Sequence, residues 1–204
     1  MNAPQGQIRQ SNQALILRAA EKVFARNGFS GATMAAIAEA SGLPKANLHY
    51  YFGSKETLYR SLLSEILHDW LAPIGSIQTD AQPRPALENY IRAKMALSAE
   101  RPDASRVFAN ELLHGAPIVG TLLRTELHKM VQEKSQVVQN WINQGKLAPV
   151  DPVHLFFTIW AATQTYADFD VQVCAVLGTS EIDAAAHARA TQHTVDLILR
   201  GCGL

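Results

Sequence analysis

The sequence predicts an all-α fold in two parts, an amino-terminal three-helix head followed by a larger helical bundle. Apolar residues recur at the helical period of about 3.6 in nearly every segment, and no run alternates like a half-buried strand. The 204 residues are 48% hydrophobic and 18% charged, which is typical of a globular protein. No apolar run approaches the roughly 18 to 20 residues that span a bilayer.

The head is predicted to comprise residues 1–55. Its first helix covers about Ser11–Asn27 and ends at Gly28, a residue that often terminates helices. Thr33 is a suitable N-cap for a second, short helix. Gly42 interrupts that helix, and Pro44 stands where the first turn of a third helix begins.

Residues 56–204 are predicted to form the bundle. Ser54 caps a fourth helix that runs through Trp70, and the loosely patterned segment Gly75–Pro85 links it to the rest. Asp151 followed by proline marks another helix start. The remaining predicted helices cover about Pro85–Glu100, Pro102–His114, Ile118–Gln144, Asp151–Leu177 and Ser180–Gly201.

The charges are unevenly distributed along a chain with no net charge. Residues 1–60 carry seven Lys and Arg against three acids, so the remaining residues are net acidic. A basic segment at one end predicts a polyanionic partner there. The amino terminus lacks the apolar core of a secretory signal, and Cys174 and Cys202 form neither a metal motif nor a disulfide framework. These features predict a cytoplasmic protein without a metal or cofactor.

The stretch SGLPKANLHYYFGSKETLY combines a helix, a glycine turn and a second helix, which is the helix-turn-helix pattern. Apolar positions such as Leu43 and Leu48 face a small core. The outward residues then suit a major groove, where Asn and His bind base edges. The alternative is a helical hairpin whose aromatics pack inward and whose lysines are solvated. The predicted DNA-binding set is Thr33, Lys45, Ala46, Asn47, His49, Tyr50, Ser54 and Lys55.

Three residues of the bundle also suggest a binding site. Trp160, Gln164 and Asp168 recur every four residues and share one helix face. Buried polar groups need partners, and a planar polar heterocycle could provide them, stacked between Trp160 and Trp70. The alternative is that the tryptophan belongs to an ordinary core and that Asp168 pairs with an arginine.

The segment GFSGATMAAIAEASGLPKANLHYYFGSKETLY resembles the DNA-binding head of TetR-family regulators. This resemblance implies an all-helical homodimer whose two heads bind a palindrome, with a ligand pocket in the carboxy-terminal domain. One departure concerns Pro44, which stands where a Ser or Thr commonly caps the recognition helix. The last two helices would then form a four-helix dimer interface, to which Phe156, Val195 and Ile198 are assigned.

The bundle segments DWLAPI and NQGKLAPVDPVHLFFTIWAATQTYADFDVQV are similar to the pyrimidine-utilisation regulators of that family. This similarity implies uracil or a related pyrimidine as the effector. The implied ligand-binding residues are Trp160, Gln164 and Asp168, with Trp70, Lys94, Phe108 and Glu111 as further candidates.

The predicted function is a transcriptional regulator whose affinity for operator DNA depends on a small effector. One alternative keeps this function and replaces the pyrimidine with a purine, an amino acid or a hydrophobic acid. Another is an architectural DNA-binding protein without a ligand. The chain is not expected to be an enzyme, because Glu111 and His114 lie near neither a nucleophile nor a glycine-rich loop.

Overall fold

The structure, a computed structural model, describes residues 5–204, and every regular element in that range is helical. The described chain forms two compact units. Unit 1 extends to Leu67 and also contains Arg106–Val119, whereas unit 2 consists of His68–Ser105 and Gly120–Leu204. The sequence instead placed a single boundary after residue 55. The packing assigns most of the fourth helix to unit 1.

Unit 1 contains the three helices of the predicted head. These are α1 (Gln5–Gly31), α2 (Met34–Ser41) and α3 (Lys45–Phe52), and α2 packs against both of its neighbours. Helix α4 (Lys55–Leu71) begins in unit 1, and helix α6 (Pro102–Leu113) ends in it. The buried apolar residues of this unit include Ile16, Ala20, Phe24, Ile37, Leu48, Leu58 and Leu62.

The regular part of the first helix ends at Gly28, as predicted. At this residue the backbone leaves the helical region, with φ of 66° and ψ of 177°, and one further turn follows to Gly31. Glycine tolerates this positive φ because it has no Cβ. The predicted cap at Thr33 is confirmed, because its Oγ1 accepts a hydrogen bond of 3.1 Å from the backbone N–H of Ala36.

Unit 2 is a helical bundle. Its elements are a 3₁₀ turn (Ala72–Ser76), α5 (Pro83–Glu100), α7 (Gly120–Leu122), a π-helical turn (Leu123–Leu127), α8 (His128–Asn143), α9 (Pro152–Asp168), α10 (Asp170–Leu177) and α11 (Ala184–Gly201). Helix α5 packs against α9 and α11, and α8 packs against α9. The core between these helices is largely apolar and contains Tyr90, Ile91, Trp141, Phe156 and Ile159.

Two predicted helices of the bundle have different bounds in the structure. The helix predicted over Asp151–Leu177 is broken at Phe169, where φ is −123° and ψ is 34°. The last helix begins at Ala184 rather than Ser180, because the side chain of Asp183 accepts from the N–H of Ala186 and so provides the N-cap. The predicted cap at Asp151 is confirmed, because its Oδ1 accepts hydrogen bonds from the backbone N–H groups of residues 153 and 154.

Over residues 5–204, no helix is long and apolar enough to cross a membrane. The same residues contain no group of three or more His, Cys, Asp and Glu side chains that could hold a metal ion. Cys174 and Cys202 are both free thiols, and burial raises the pKa of Cys202.

Candidate functional site

The turn between α2 and α3 depends on one glycine. Gly42 has φ of 68°, and its N–H donates to the carbonyls of Ala38 and Glu39, which closes the end of α2. Pro44 occupies the N-cap of α3 and makes no side-chain capping bond. The resemblance marked this position as a departure, and the structure shows the consequence: α3 begins without a hydroxyl cap.

Helix α3 has one buried side and one solvent-facing side. Leu48 and Phe52 are buried, at 0% and 8% exposure. Most of the predicted base-contacting residues are exposed, and Asn47 is half-buried. We define the reading surface as Lys45, Ala46, Asn47, His49 and Tyr50. This division is the one that a recognition helix requires, because only the outward side can enter a groove.

Two contacts orient side chains at the end of α3. Nδ1 of His49 lies 2.9 Å from the carbonyl oxygen of Gly53, so this nitrogen carries the proton and donates to that oxygen. Nε2 of a neutral His49 is therefore an acceptor. The ring of Tyr50 is 77% exposed and packs edge-on against Tyr51, whose hydroxyl accepts from Nδ2 of Asn12.

Two of the predicted DNA-binding residues cap helices. Thr33 caps α2, and Oγ of Ser54 accepts from the N–H of Thr57 at 3.1 Å, which confirms the predicted cap of α4. Both residues are exposed. The ammonium group of Lys55 instead donates to backbone carbonyls at and just after the end of α1, at 2.7 Å from Phe29 O and 3.0 Å from Ala32 O. Its contact with DNA stays a prediction.

In unit 2, the structure brings two of the predicted effector residues into direct contact. Nζ of Lys94 on α5 lies 3.9 Å from the ring centroid of Trp70 on α4. Both side chains are buried, at 3% and 5% exposure. Burial lowers the pKa of Lys94 from 10.5 to about 7, and the negative charge of Asp168 opposes this shift.

Asp168 lies at the carboxy-terminal end of α9. It accepts a hydrogen bond from the hydroxyl of Ser105, a fully buried residue on α6. Ser105 was not predicted from the sequence, because a bond across 63 residues leaves no local pattern. An ionised carboxylate has about four acceptor sites, so Asp168 can accept from further donors.

Trp160 and Gln164 lie on the preceding turns of α9 and are half-buried. The indole N–H of Trp160 donates to the hydroxyl of Tyr90 at 2.7 Å. Burial raises the pKa of Tyr90 to about 12, while the Trp160 bond acts in the opposite direction. Tyr90 is a second polar residue that the sequence analysis missed, since it occupies an apolar position of α5.

Phe108 and Glu111 are buried on the part of α6 that belongs to unit 1. Oε1 of Glu111 accepts from the backbone N–H groups of Ile118 and Val119, at 2.6 and 3.1 Å. Burial raises the pKa of Tyr59, and the negative charge of Glu111 raises it further. Glu111 therefore organises the end of α6, and the ligand contacts of both residues stay predictions.

The assignment of Phe156, Val195 and Ile198 to an exposed dimer surface is wrong. They are 0%, 1% and 6% exposed within a single chain, because they point into the core of unit 2. The exposed apolar residues of the last helices are different. We define the α9–α11 face as the exposed residues that line two neighbouring grooves of about 700 and 620 Å³, namely Phe169, Val176, Leu177 and Leu197.

Two protein-family models match this chain. Residues 16–62 match the model described as "Bacterial regulatory proteins, tetR family", and residues 63–204 match "YcdC-like protein, C-terminal region". The chain is 44% identical over 186 residues to the HTH-type transcriptional regulator RutR of Escherichia coli K12, covering 91% of this chain and 88% of the relative. The chain belongs to the TetR family.

Solved structures show the same TetR fold. The ketosteroid transcriptional regulator KstR2 of Mycobacterium tuberculosis matches with a TM-score of 0.73 at 18% identity, over 93% of this chain and 94% of its own. AibR, in complex with isovaleryl coenzyme A and operator DNA, gives 0.70 at 18% identity, over 92% of this chain and 98% of its own. At these identities the likeness establishes the TetR architecture alone.

Proposed function

We propose that the chain is a TetR-family transcriptional regulator that binds a palindromic operator as a homodimer and responds to a small polar heterocycle. Uracil or a related pyrimidine is the proposed effector. The observation that carries the effector class is the pair of ionisable residues Lys94 and Asp168 inside unit 2. Lys94 is buried and Asp168 is half-buried, and charged groups are costly to bury without polar partners.

The chemistry of these residues matches a pyrimidine ring. Uracil has two carbonyl acceptors and two N–H donors around a flat ring. The ammonium group of Lys94 can donate to a carbonyl, Asp168 can accept from an N–H, and Gln164 can do both. The faces of Trp70 and Trp160 can stack on the ring. The similarity to pyrimidine-utilisation regulators points to the same ligand class.

The alternative effectors differ in how many of these groups they match. A fatty acid could place its carboxylate near Lys94 but has no ring N–H to donate to Gln164 or Asp168. A purine offers similar hydrogen-bonding groups on a larger ring. The polar residues therefore favour a heterocycle. Pyrimidines and purines differ in the size of the ring that these residues would have to accommodate.

DNA binding is proposed for the reading surface on α3. Asn47 and His49 are suited to base edges, and Lys45 and Tyr50 to phosphates or bases. The α9–α11 face supports dimerisation, because four exposed apolar side chains beside two grooves favour burial against a second copy. A dimer would place two recognition helices about one DNA turn, roughly 34 Å, apart.

The test combines ligand and DNA binding on the whole protein. A thermal-shift series would compare uracil, thymine, cytosine, adenine, hypoxanthine, a branched amino acid and a medium-chain fatty acid. Duplexes selected from a random pool would then be titrated with and without the stabilising compound. We expect a shift with uracil and a changed operator affinity. A shift with only the fatty acid, or an operator affinity that uracil leaves unchanged, would refute the pyrimidine assignment.

A further inference from the structure

The ammonium group of Lys55 is held by the end of α1. It donates to the carbonyl oxygens of Phe29 and Ala32 at 2.7 and 3.0 Å, and Ser30 O lies at 3.5 Å. The same nitrogen lies 4.5 Å from the ring centroid of Phe29. An ammonium group has three donors, and three backbone oxygens surround this one.

The physical reason for this contact is the exposed end of a helix. The carbonyls of Phe29 and Ala32 follow the break at Gly28, where no further helical turn supplies partners for them. A lysine placed there satisfies these oxygens, whose partial negative charge attracts the ammonium group. Lys55 is half-buried, so water screens this attraction less than it would at the surface.

This contact joins the two ends of the helix-turn-helix. Ala32 directly precedes Thr33, the cap of α2, and Lys55 is the first residue of α4, three residues after the end of α3 at Phe52. The bond between Lys55 and Ala32 therefore joins the residues that directly precede and directly follow residues 33–54.

Aromatic contacts make the same corner rigid. The ring of Tyr59, one turn after Lys55 on α4, lies 4.9 Å from the ring of Phe29 and 4.7 Å from the ring of Phe24. These three rings and the lysine connect α4 to the end of α1. Because α4 follows α3 directly, fixing the start of α4 against the end of α1 limits the orientations that α3 can adopt.

We infer that Lys55 is a positioning residue for operator binding: it fixes the recognition helix by binding the carbonyls of Phe29 and Ala32 together with the ring of Phe29. The inference rests on the proposed DNA-binding function. It competes with a direct contact between a DNA phosphate and Lys55, which belongs to the predicted DNA-binding set. The two roles differ in their dependence on salt, because only a phosphate contact releases counterions from DNA.

The experiment measures the affinity of Lys55→Met for a selected duplex over a range of salt concentrations. A positioning role lowers affinity about tenfold at each salt concentration and leaves the slope of log K against log salt unchanged. A phosphate contact lowers the slope by about 0.9 per head. Unchanged affinity, or a slope that falls by that amount, would overturn the inference. Lys45→Met, which changes an exposed lysine of the reading surface, serves as the comparison.

A second variant tests the same contact in case Lys55→Met impairs folding. Phe29→Leu removes the ring and leaves the lysine charge, so it cannot remove a phosphate contact. We expect it to weaken operator binding with the same slope, and the double variant to be weaker by less than the sum of the two single effects. Full affinity in Phe29→Leu, or additive effects, would contradict the inference. If the wild-type protein binds no duplex, the proposed function itself fails.

Discussion

The ammonium group of Lys94 lies against the face of Trp70, 3.9 Å from its ring centroid, inside unit 2. A cation on an indole face gains attraction from the ring quadrupole, and more so where water is excluded. This attraction offsets only part of the cost of burial, as the lowered pKa of Lys94 shows. Burial of the charged lysine therefore destabilises the folded state, and the indole reduces this cost.

We expect stability to depend on pH through Lys94. Its pKa is about 7 in the folded protein and 10.5 in the unfolded chain, so the unfolded state binds more protons between these values. The free energy of unfolding should therefore rise from about pH 7 to about pH 10.5. Lys94→Met should flatten this rise in urea unfolding, whereas Lys129→Met, at an exposed site on α8, should retain it. Equal slopes in all three proteins would contradict the prediction.

Asp168 should contribute directly to effector affinity. Asp168→Asn keeps the size of the side chain and an acceptor for Ser105, and removes the charge. Because a hydrogen bond to a charged group contributes about 1.5–3 kcal/mol, we expect uracil affinity to fall at least about tenfold in calorimetry. Asp196→Asn, which changes a carboxylate bonded to Gln192 on α11, is the control and should bind normally. Equal affinities in the two variants would remove Asp168 from the site.

The sequence predicts those parts of the structure that local chemistry determines. Thr33, Ser54 and Asp151 are helix caps in the structure because a cap depends on the side-chain oxygen and the next three residues. The outward residues of α3 were also predictable, since Leu48 is an apolar position within a short amphipathic pattern.

Features that depend on distant contacts were not predictable. The bond between Ser105 and Asp168 joins residues far apart in the chain. The break at Phe169 occurs without a proline or glycine, so only packing of α9 and α10 reveals it. The core position of Phe156 was mistaken for a dimer surface, because helical period alone does not distinguish a core face from an interface.

The α9–α11 face should be required for dimerisation. Leu197 is 63% exposed on α11 and lines the groove of about 620 Å³. Leu197→Glu would place a charge in a buried apolar interface, so light scattering should show a monomer at concentrations where the wild type is a dimer. Leu113→Glu, at an 80% exposed leucine on α6 outside this face, should remain a dimer. A dimeric Leu197→Glu would place the interface elsewhere.

His49 should determine sequence preference more than general affinity for DNA. Its Nδ1 is engaged by Gly53 O, so Nε2 is the atom available to a base edge. His49→Ala should lose about 1–3 kcal/mol on the preferred duplex and relax the preference at one or two base pairs, while binding to random DNA changes little. His114→Ala is a matched control, because His114 bonds a backbone carbonyl in the same way, at 2.7 Å from Asn110 O, in the exposed turn after α6. Sequencing of duplexes selected by each variant provides the measurement. If His49→Ala selects the same sequences as the wild type, the imidazole contacts no base, and the specificity of α3 must come from Asn47 and its neighbours.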